Sequence, residues 1–304
     1  MILFRTKSAM IEPHTSIMIL TLSNKQKLAM EQGKSKRSRL ISVTQRAAKM
    51  ALLEKSRHYY IYGPSGIGKT FNMEKELLKS GVPFYIISGN ISMWSFAVNL
   101  ACIKAAHGDE KVVILVDDCD ELLKDGKSVN QLKELLDKGI FSYNKKPQMH
   151  MLTSEVQKEC VEKFMSDDKM GFSVPCKNFT FVITSNFQLP YDDTPEKMME
   201  KNGGTMTPRI AYMKHLTAIR GRMMTKDIAL DNQEKWGTIA EVLLNDDGCP
   251  QLSHQQKIYL LDWMWNNWDE MTETSIRTAE KMADLLIEEG EDGIQDAWEI
   301  DFLK

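Results

Sequence analysis

The sequence predicts an α/β protein: a parallel sheet of five short strands with helices on both faces, followed by a small all-helical domain. Three observations carry this. Between residues 41 and 230, short apolar runs alternate with segments of helical spacing. From residue 231 the strand-like runs stop, and the remainder holds five of the six tryptophans, Trp236, Trp263, Trp265, Trp268 and Trp298, as expected of a separate helical core. A glycine-rich turn, "GPSGIGKT", sits where a strand gives way to a helix.

Taken in order, residues 1–40 read as a basic arm. They lack sustained periodicity and close on "GKSKRSR", so a flexible or weakly ordered segment is expected. "LISVTQRAAKMALLEKS" has apolar residues at helical spacing and opens the α/β domain, residues 41–230. "HYYIYG" is a short buried strand, aromatic and β-branched. After the glycine turn come the helix "FNMEKELLKSG", the strand "PFYIISG", the helix "MWSFAVNLACIKAA" and the strand "KVVILV". "VNQLKELLDKG" is helical. Residues 143–178 read as irregular apart from a helix around "SEVQKECVEKFM". "FTFVITSN" is a fourth strand. A polar loop, 187–207, leads into the helical "RIAYMKHLTAIRGRM" and a candidate short strand, "MTKDIAL". Residues 231–304 form the helical domain.

Composition narrows the function classes. Of 304 residues, 42% are apolar and 27% charged, the profile of a soluble globular chain. No run is long enough to span a bilayer, and no secretory signal is recognisable, so no membrane partner is expected. Five widely spaced cysteines with no CxxC pair support neither a zinc site nor a disulfide framework. A reducing cytoplasm is the expected compartment. The six histidines show no ligand spacing. Charge is uneven: residues 1–40 carry +6 and residues 231–304 carry −13, which suggests a basic arm and an acidic end with different jobs.

The chemistry concentrates in two stretches. Gly63, Pro64, Ser65, Gly66, Ile67, Gly68, Lys69 and Thr70 fit G-x-x-x-x-G-K-[ST], the phosphate-binding P-loop, with a strand before and a helix after. Its glycines let backbone N–H groups turn towards phosphate oxygens, and the helix N-terminus adds partial positive charge. Lys69 can reach the β and γ phosphates of ATP, and Thr70 can ligate Mg²⁺. The strand Val112–Val116 then runs into Asp117, Asp118, Asp120 and Glu121. A P-loop fold needs a neighbouring strand to end in a carboxylate for the Mg²⁺ shell, and Asp117 occupies that place. Asp118 is placed to orient the attacking water. Asp120 and Glu121 read as acids opening the next helix, where the dipole favours them.

These motifs, in this order, resemble the AAA+ ATPases over roughly residues 41 to 290. The Asp117-Asp118 pair departs from the usual Asp-Glu and is similar to the branch containing replication initiators and helicase loaders. The shorter Asp118 leaves Glu121 as an alternative for activating water. The resemblance implies a P-loop NTPase sheet with a helical lid, and further roles. Asn186, ending "FTFVITSN", takes the place of the first sensor near the γ-phosphate, with Thr184 and Ser185 as weaker candidates. Arg222, or Arg220 beside it, takes the place of the arginine finger that serves a neighbouring subunit. Arg277, in "TETSIRTAEKMADLL", resembles the second sensor, with Ser275 or Thr274 capping its helix and Lys281 as an auxiliary cation.

The resemblance also implies a homo-oligomer, by default a hexameric ring or spiral, and a look similar to stand-alone phage-encoded members. Two substrate classes remain. One is DNA, in replication, helicase or clamp loading, or recombination, where Lys34, Lys36, Arg37 and Arg39 would meet backbone phosphates. The other is a protein to be remodelled, gripped by the insertion 143–178 or docked on the acidic, tryptophan-rich domain. An ATP-gated scaffold with slow hydrolysis is a third reading, and the finger and sensor candidates argue against it.

Overall fold

The computed structural model describes residues 22–53, 57–167, 170–245 and 248–304, with side chains throughout except at 291–293. The first part of the expected basic arm, residues 1–21, lies outside the described residues. The chain divides into two units: Ile41–Pro64 with Lys69–Ala229, and a helical unit of Leu230–Lys304 with the segment up to Leu40 and the loop tip Ser65–Gly68.

The first unit is built on a five-stranded sheet. Its strands are β1 (Tyr59–Tyr62), β2 (Phe84–Ser88), β3 (Val112–Asp117), β6 (Phe179–Ser185) and β7 (Met224–Asp227), in the order β2-β3-β6-β1-β7. Every pairing is parallel. The inner strands are apolar at nearly every position because both faces are covered. Tyr60, Val112, Ile114, Val116, Phe179 and Phe181 join one core with α3 (Met93–His107), α4 (Gly126–Lys138) and α7 (Pro208–Arg222). The alternate residues Tyr59, Ile61, Val113, Leu115 and Val182 are equally buried on the other face. There Thr180 Oγ1 donates to the Ala51 carbonyl at the end of α1 (Asn24–Ala51). Between β1 and β2 runs α2 (Lys69–Ser80).

Four sequence expectations are corrected here. Residues 24–39 continue the helix α1 rather than forming a weak arm. Their buried stripe, Gln26, Ala29, Met30, Gly33 and Leu40, is broken by small and polar residues, so hydropathy marks it weakly. Residues 143–178 are not irregular. β4 (Ile140–Tyr143) and β5 (Phe172–Pro175) pair antiparallel, with Phe141 opposite Val174 and Tyr143 opposite Phe172. These inward residues pack around Trp94, whose ring lies 5.2 Å from that of Tyr143 and 5.9 Å from that of Phe172. The helix between the two strands, α5 (Glu155–Glu162), matches expectation. The polar loop 187–207 contains a short helix, α6 (Thr194–Lys201), opened by Pro195. Asp120 and Glu121 also fall in a 3₁₀ turn, Asp120–Leu123, ahead of α4, which is capped by Asp125 instead.

The helical unit packs α8 (Asn232–Asn245), α9 (His254–Asn267) and α10 (Ile276–Phe302) with the first turns of α1. Trp236, Trp263 and Trp298 are buried, and the Trp236 and Trp298 indoles donate to the carbonyls of Leu261 and Met282. The tryptophans are therefore largely core, not an open docking face. At the crossing of α1 and α8, Gly33 and Gly237 let the two backbones touch. Among the described residues no helix is long and apolar enough to cross a membrane.

Candidate active site

Parallel strands deliver their carboxyl ends to one edge of the sheet, where chain reversals leave backbone groups and loops open. The turn after β1 begins there. Gly63 N–H donates to the Ser185 carbonyl at 3.2 Å, fixing the turn to the end of β6. Gly66 and Gly68 have φ of 68° and 82°, which side-chain-bearing residues avoid. Lys69, at the start of α2, is 6% exposed, and its ammonium donates to the carbonyls of Gly63 and Pro64 at 2.9 and 2.8 Å and to Asn186 Oδ1 at 2.8 Å.

The acidic cluster lies alongside. Asp117 pairs in register with Thr184 across β3 and β6. Its Oδ1 accepts from Thr70 Oγ1 at 2.5 Å and from Thr184 Oγ1 at 2.6 Å. Asp118 turns out of the strand in the left-handed region, φ 49°, with its N–H on the Thr184 carbonyl. Its carboxylate accepts from Asn186 Nδ2 at 3.1 Å, so Asn186 bridges Lys69 and Asp118. Asp120 accepts from Ser185 Oγ at 2.5 Å, and Glu121 pairs with Lys124, three residues on. Burial, with the Asp117 carboxylate next in weight, pushes the Cys119 thiol up to about 12, so it stays protonated. Lys69, Thr70, Asp117, Asp118 and Asn186 thus form one connected group. Thr184 and Ser185, weaker sensor candidates by sequence, instead hold the carboxylates. Only the strand register brings them there.

Residues 59–200 match the family model described as ATPase family associated with various cellular activities, AAA. This stretch, just under half of the chain, is similar to an AAA-family ATPase domain. An uncharacterized 36.7 kDa protein from the nrdC-mobD intergenic region of Enterobacteria phage T4 is also similar, 26% identical over 241 residues. That match covers 76% of this chain and 64% of the phage protein, so the chain spans just under two thirds of that relative's length.

The arginines that follow the matched stretch differ from each other. Met224 pairs with Tyr59, so Arg222 stands at the amino ends of the strands, opposite to Lys69 and Asp117. A four-residue strand alone separates the two edges by about 13 Å. Arg222 makes a fork with Asp137, two bonds of 2.7 Å, and donates to the Ala218 carbonyl. It borders a cleft of about 260 Å³ shared with Arg57, His58, Leu136 and Met224. Arg220, two residues earlier, points the other way: it donates to the Leu189 carbonyl at 2.9 Å and to Asp227 at 3.1 Å. In the helical unit, Ser275 caps α10 by accepting from Thr278 N–H, and Ile276 N–H donates to the Gly66 carbonyl at the loop tip. Arg277, the next residue, is exposed, as is Lys281.

Proposed function

We propose that the chain hydrolyses ATP as a homo-oligomer, with the phosphates on the Gly63–Thr70 loop. The observation that carries this reading is the connected group Lys69–Asn186–Asp118 beside Thr70–Asp117. Lys69, now held by two loop carbonyls and Asn186, exchanges the carbonyls for phosphate oxygens. Thr70 and Asp117 offer a hydroxyl and a carboxylate oxygen side by side, which fits Mg²⁺, an ion that takes few protein ligands and fills its shell with water and phosphate. When bound, Mg²⁺ neutralises phosphate charge. Asp118 orients the attacking water and accepts its proton, while Asn186 holds Asp118 in place. Glu121, half-buried and paired with Lys124, is the weaker base.

Arg222 serves a second copy in this reading, because it lies at the wrong end of the sheet for its own site. An arginine so placed stabilises transition-state charge by about 10³–10⁵ in rate in well-studied NTPases. Arg277, exposed on α10, keeps the second-sensor reading that the resemblance gives it. The work is a DNA transaction, supported by the exposed Lys34 and Arg39 on α1 and by the Asp-Asp pair. Lys36 and Arg37 support it less, since Lys36 pairs with Glu234 at 3.1 Å and Arg37 lies half-buried near Glu241. Protein remodelling is the second reading, favoured by Met151, Val156 and Met170, which leave the insertion 143–178 with exposed apolar side chains.

The test is the ATPase rate with and without single- and double-stranded DNA, in the native chain and in Lys69→Ala. The variant should lose nucleotide binding and turnover. Turnover equal to the native chain would overturn the site. No stimulation and no low-salt DNA binding would move the proposal to a protein substrate.

A further inference from the structure

Arg220 and Arg222 are nearly adjacent in sequence, yet the fold gives them different surroundings. The Arg220 side chain is 17% exposed and meets three groups at once. Its Nη1 donates to the Leu189 carbonyl, its Nη2 to Asp227 Oδ2, and its guanidinium lies 4.3 Å from the centre of the Tyr191 ring. Asp227 Oδ2 also accepts from the Tyr191 hydroxyl at 2.9 Å and from Gln188 Nε2 at 3.3 Å. Gln188, Leu189 and Tyr191 all belong to the loop that leaves β6 directly after Asn186. Closer to Asn186 the same loop is tied by Tyr60, whose hydroxyl donates to the Phe187 carbonyl at 2.5 Å.

We propose that Arg220 is a positioning residue acting within its own chain, clamping the 187–191 loop to the end of β7 so that Asn186 stays between Lys69 and Asp118. A planar fork suits such a clamp, because one guanidinium can satisfy a carbonyl and a carboxylate while its face stacks on a ring, and an ammonium cannot. Burial raises the Asp227 carboxyl, but the bonds from Tyr191, Arg220 and Gln188 and the Arg220 charge outweigh it, holding the group below its usual range and ionised. A finger must leave its own chain to reach a neighbour. Arg220 would abandon a carboxylate only 16% exposed to do so, whereas Arg222 is held by one 46% exposed.

This inference rests on the ATPase reading, so its test has an arm independent of turnover. Hydrogen exchange of the peptide covering 186–192 is measured in the full chain, native and with Arg220→Ala, Arg220→Lys or Tyr191→Ala. Arg220→Ala should speed exchange there by about tenfold, as expected for losing one charge-assisted bond. Arg220→Lys should give a smaller increase. Tyr191→Ala, on the exposed side of the clamp, should reproduce the effect if Arg220→Ala folds poorly. In turnover, Arg220→Ala should lower kcat more than it raises KM, and adding it to Asn186→Ala should cost little more. Mixing Arg220→Ala with Lys69→Ala protein should not restore activity, while mixing Arg222→Ala should. Unchanged exchange in both Arg220→Ala and Tyr191→Ala overturns the clamp. Restoration of Arg220→Ala by the Lys69→Ala partner assigns it to the neighbour's site instead. A native chain with no ATPase activity but tenfold faster exchange in Arg220→Ala would sink the ATPase reading and keep the clamp.

Discussion

Gly237→Ala should destabilise the helical unit although alanine is the better helix former. A Cβ on Gly237 would lie 1.8 Å from the Ala29 carbonyl oxygen and 2.5 Å from its carbon. An ordinary carbon–oxygen contact is roughly 3.3 Å, so α1 and α8 would have to part by about 1.5 Å along this seam. The obstacle is backbone, which cannot swing aside as a side chain does. Overpacking of this kind costs up to about 3 kcal/mol, and removing glycine from a helix interior returns about 1 kcal/mol. The net loss is then about 2 kcal/mol. Tryptophan fluorescence during urea unfolding suits the measurement, because five of the six tryptophans lie between residues 231 and 304. Gly221→Ala is the control: it lies in α7, and its added Cβ would meet nothing within 4 Å. Far-UV circular dichroism should show it neutral or stabilised by up to about 1 kcal/mol. If Gly237→Ala unfolds at the native midpoint or above it, the helices do not touch as described.

Two further perturbations probe other parts of the fold and site. Burial lowers His58 to about 4, and its Nδ1 accepts from Phe181 N–H. Below about pH 6.5 the unfolded chain binds this proton before the folded chain does, so stability should fall as pH drops from 6.5 to 4, by up to about 3 kcal/mol. His58→Asn should flatten that part of the curve, and an unchanged slope would place the loss elsewhere. Asp118 holds φ at 49°, which asparagine tolerates and alanine does not. Asp118→Asn should keep its unfolding midpoint and its ATP binding while losing turnover, and Asp118→Ala should also lose about 1 kcal/mol of stability. Normal turnover in Asp118→Asn with loss in Glu121→Gln would transfer the base to Glu121.

Much of this protein is written locally. The glycines of the 63–70 loop, the apolar runs of β3 and β6 and the acid that ends β3 each follow from short-range chemistry: positive φ, burial on both faces, and charge at a strand end. They therefore survive translation into pattern. Features that depend on what a residue meets across the chain do not. The first half of α1 buries Ala29 and Gly33 against another helix, so its inward stripe lacks the bulk that marks an amphipathic segment. β4 and β5 are four residues each and meet only after a long excursion, so neither signals its partner. Arg220 and Arg222 belong to one "RGR" triplet, and the helical turn sends one towards Asp227 and the other towards Asp137. Nothing in their sequence neighbourhood distinguishes them, because the groups that do so arrive from other elements through long-range packing.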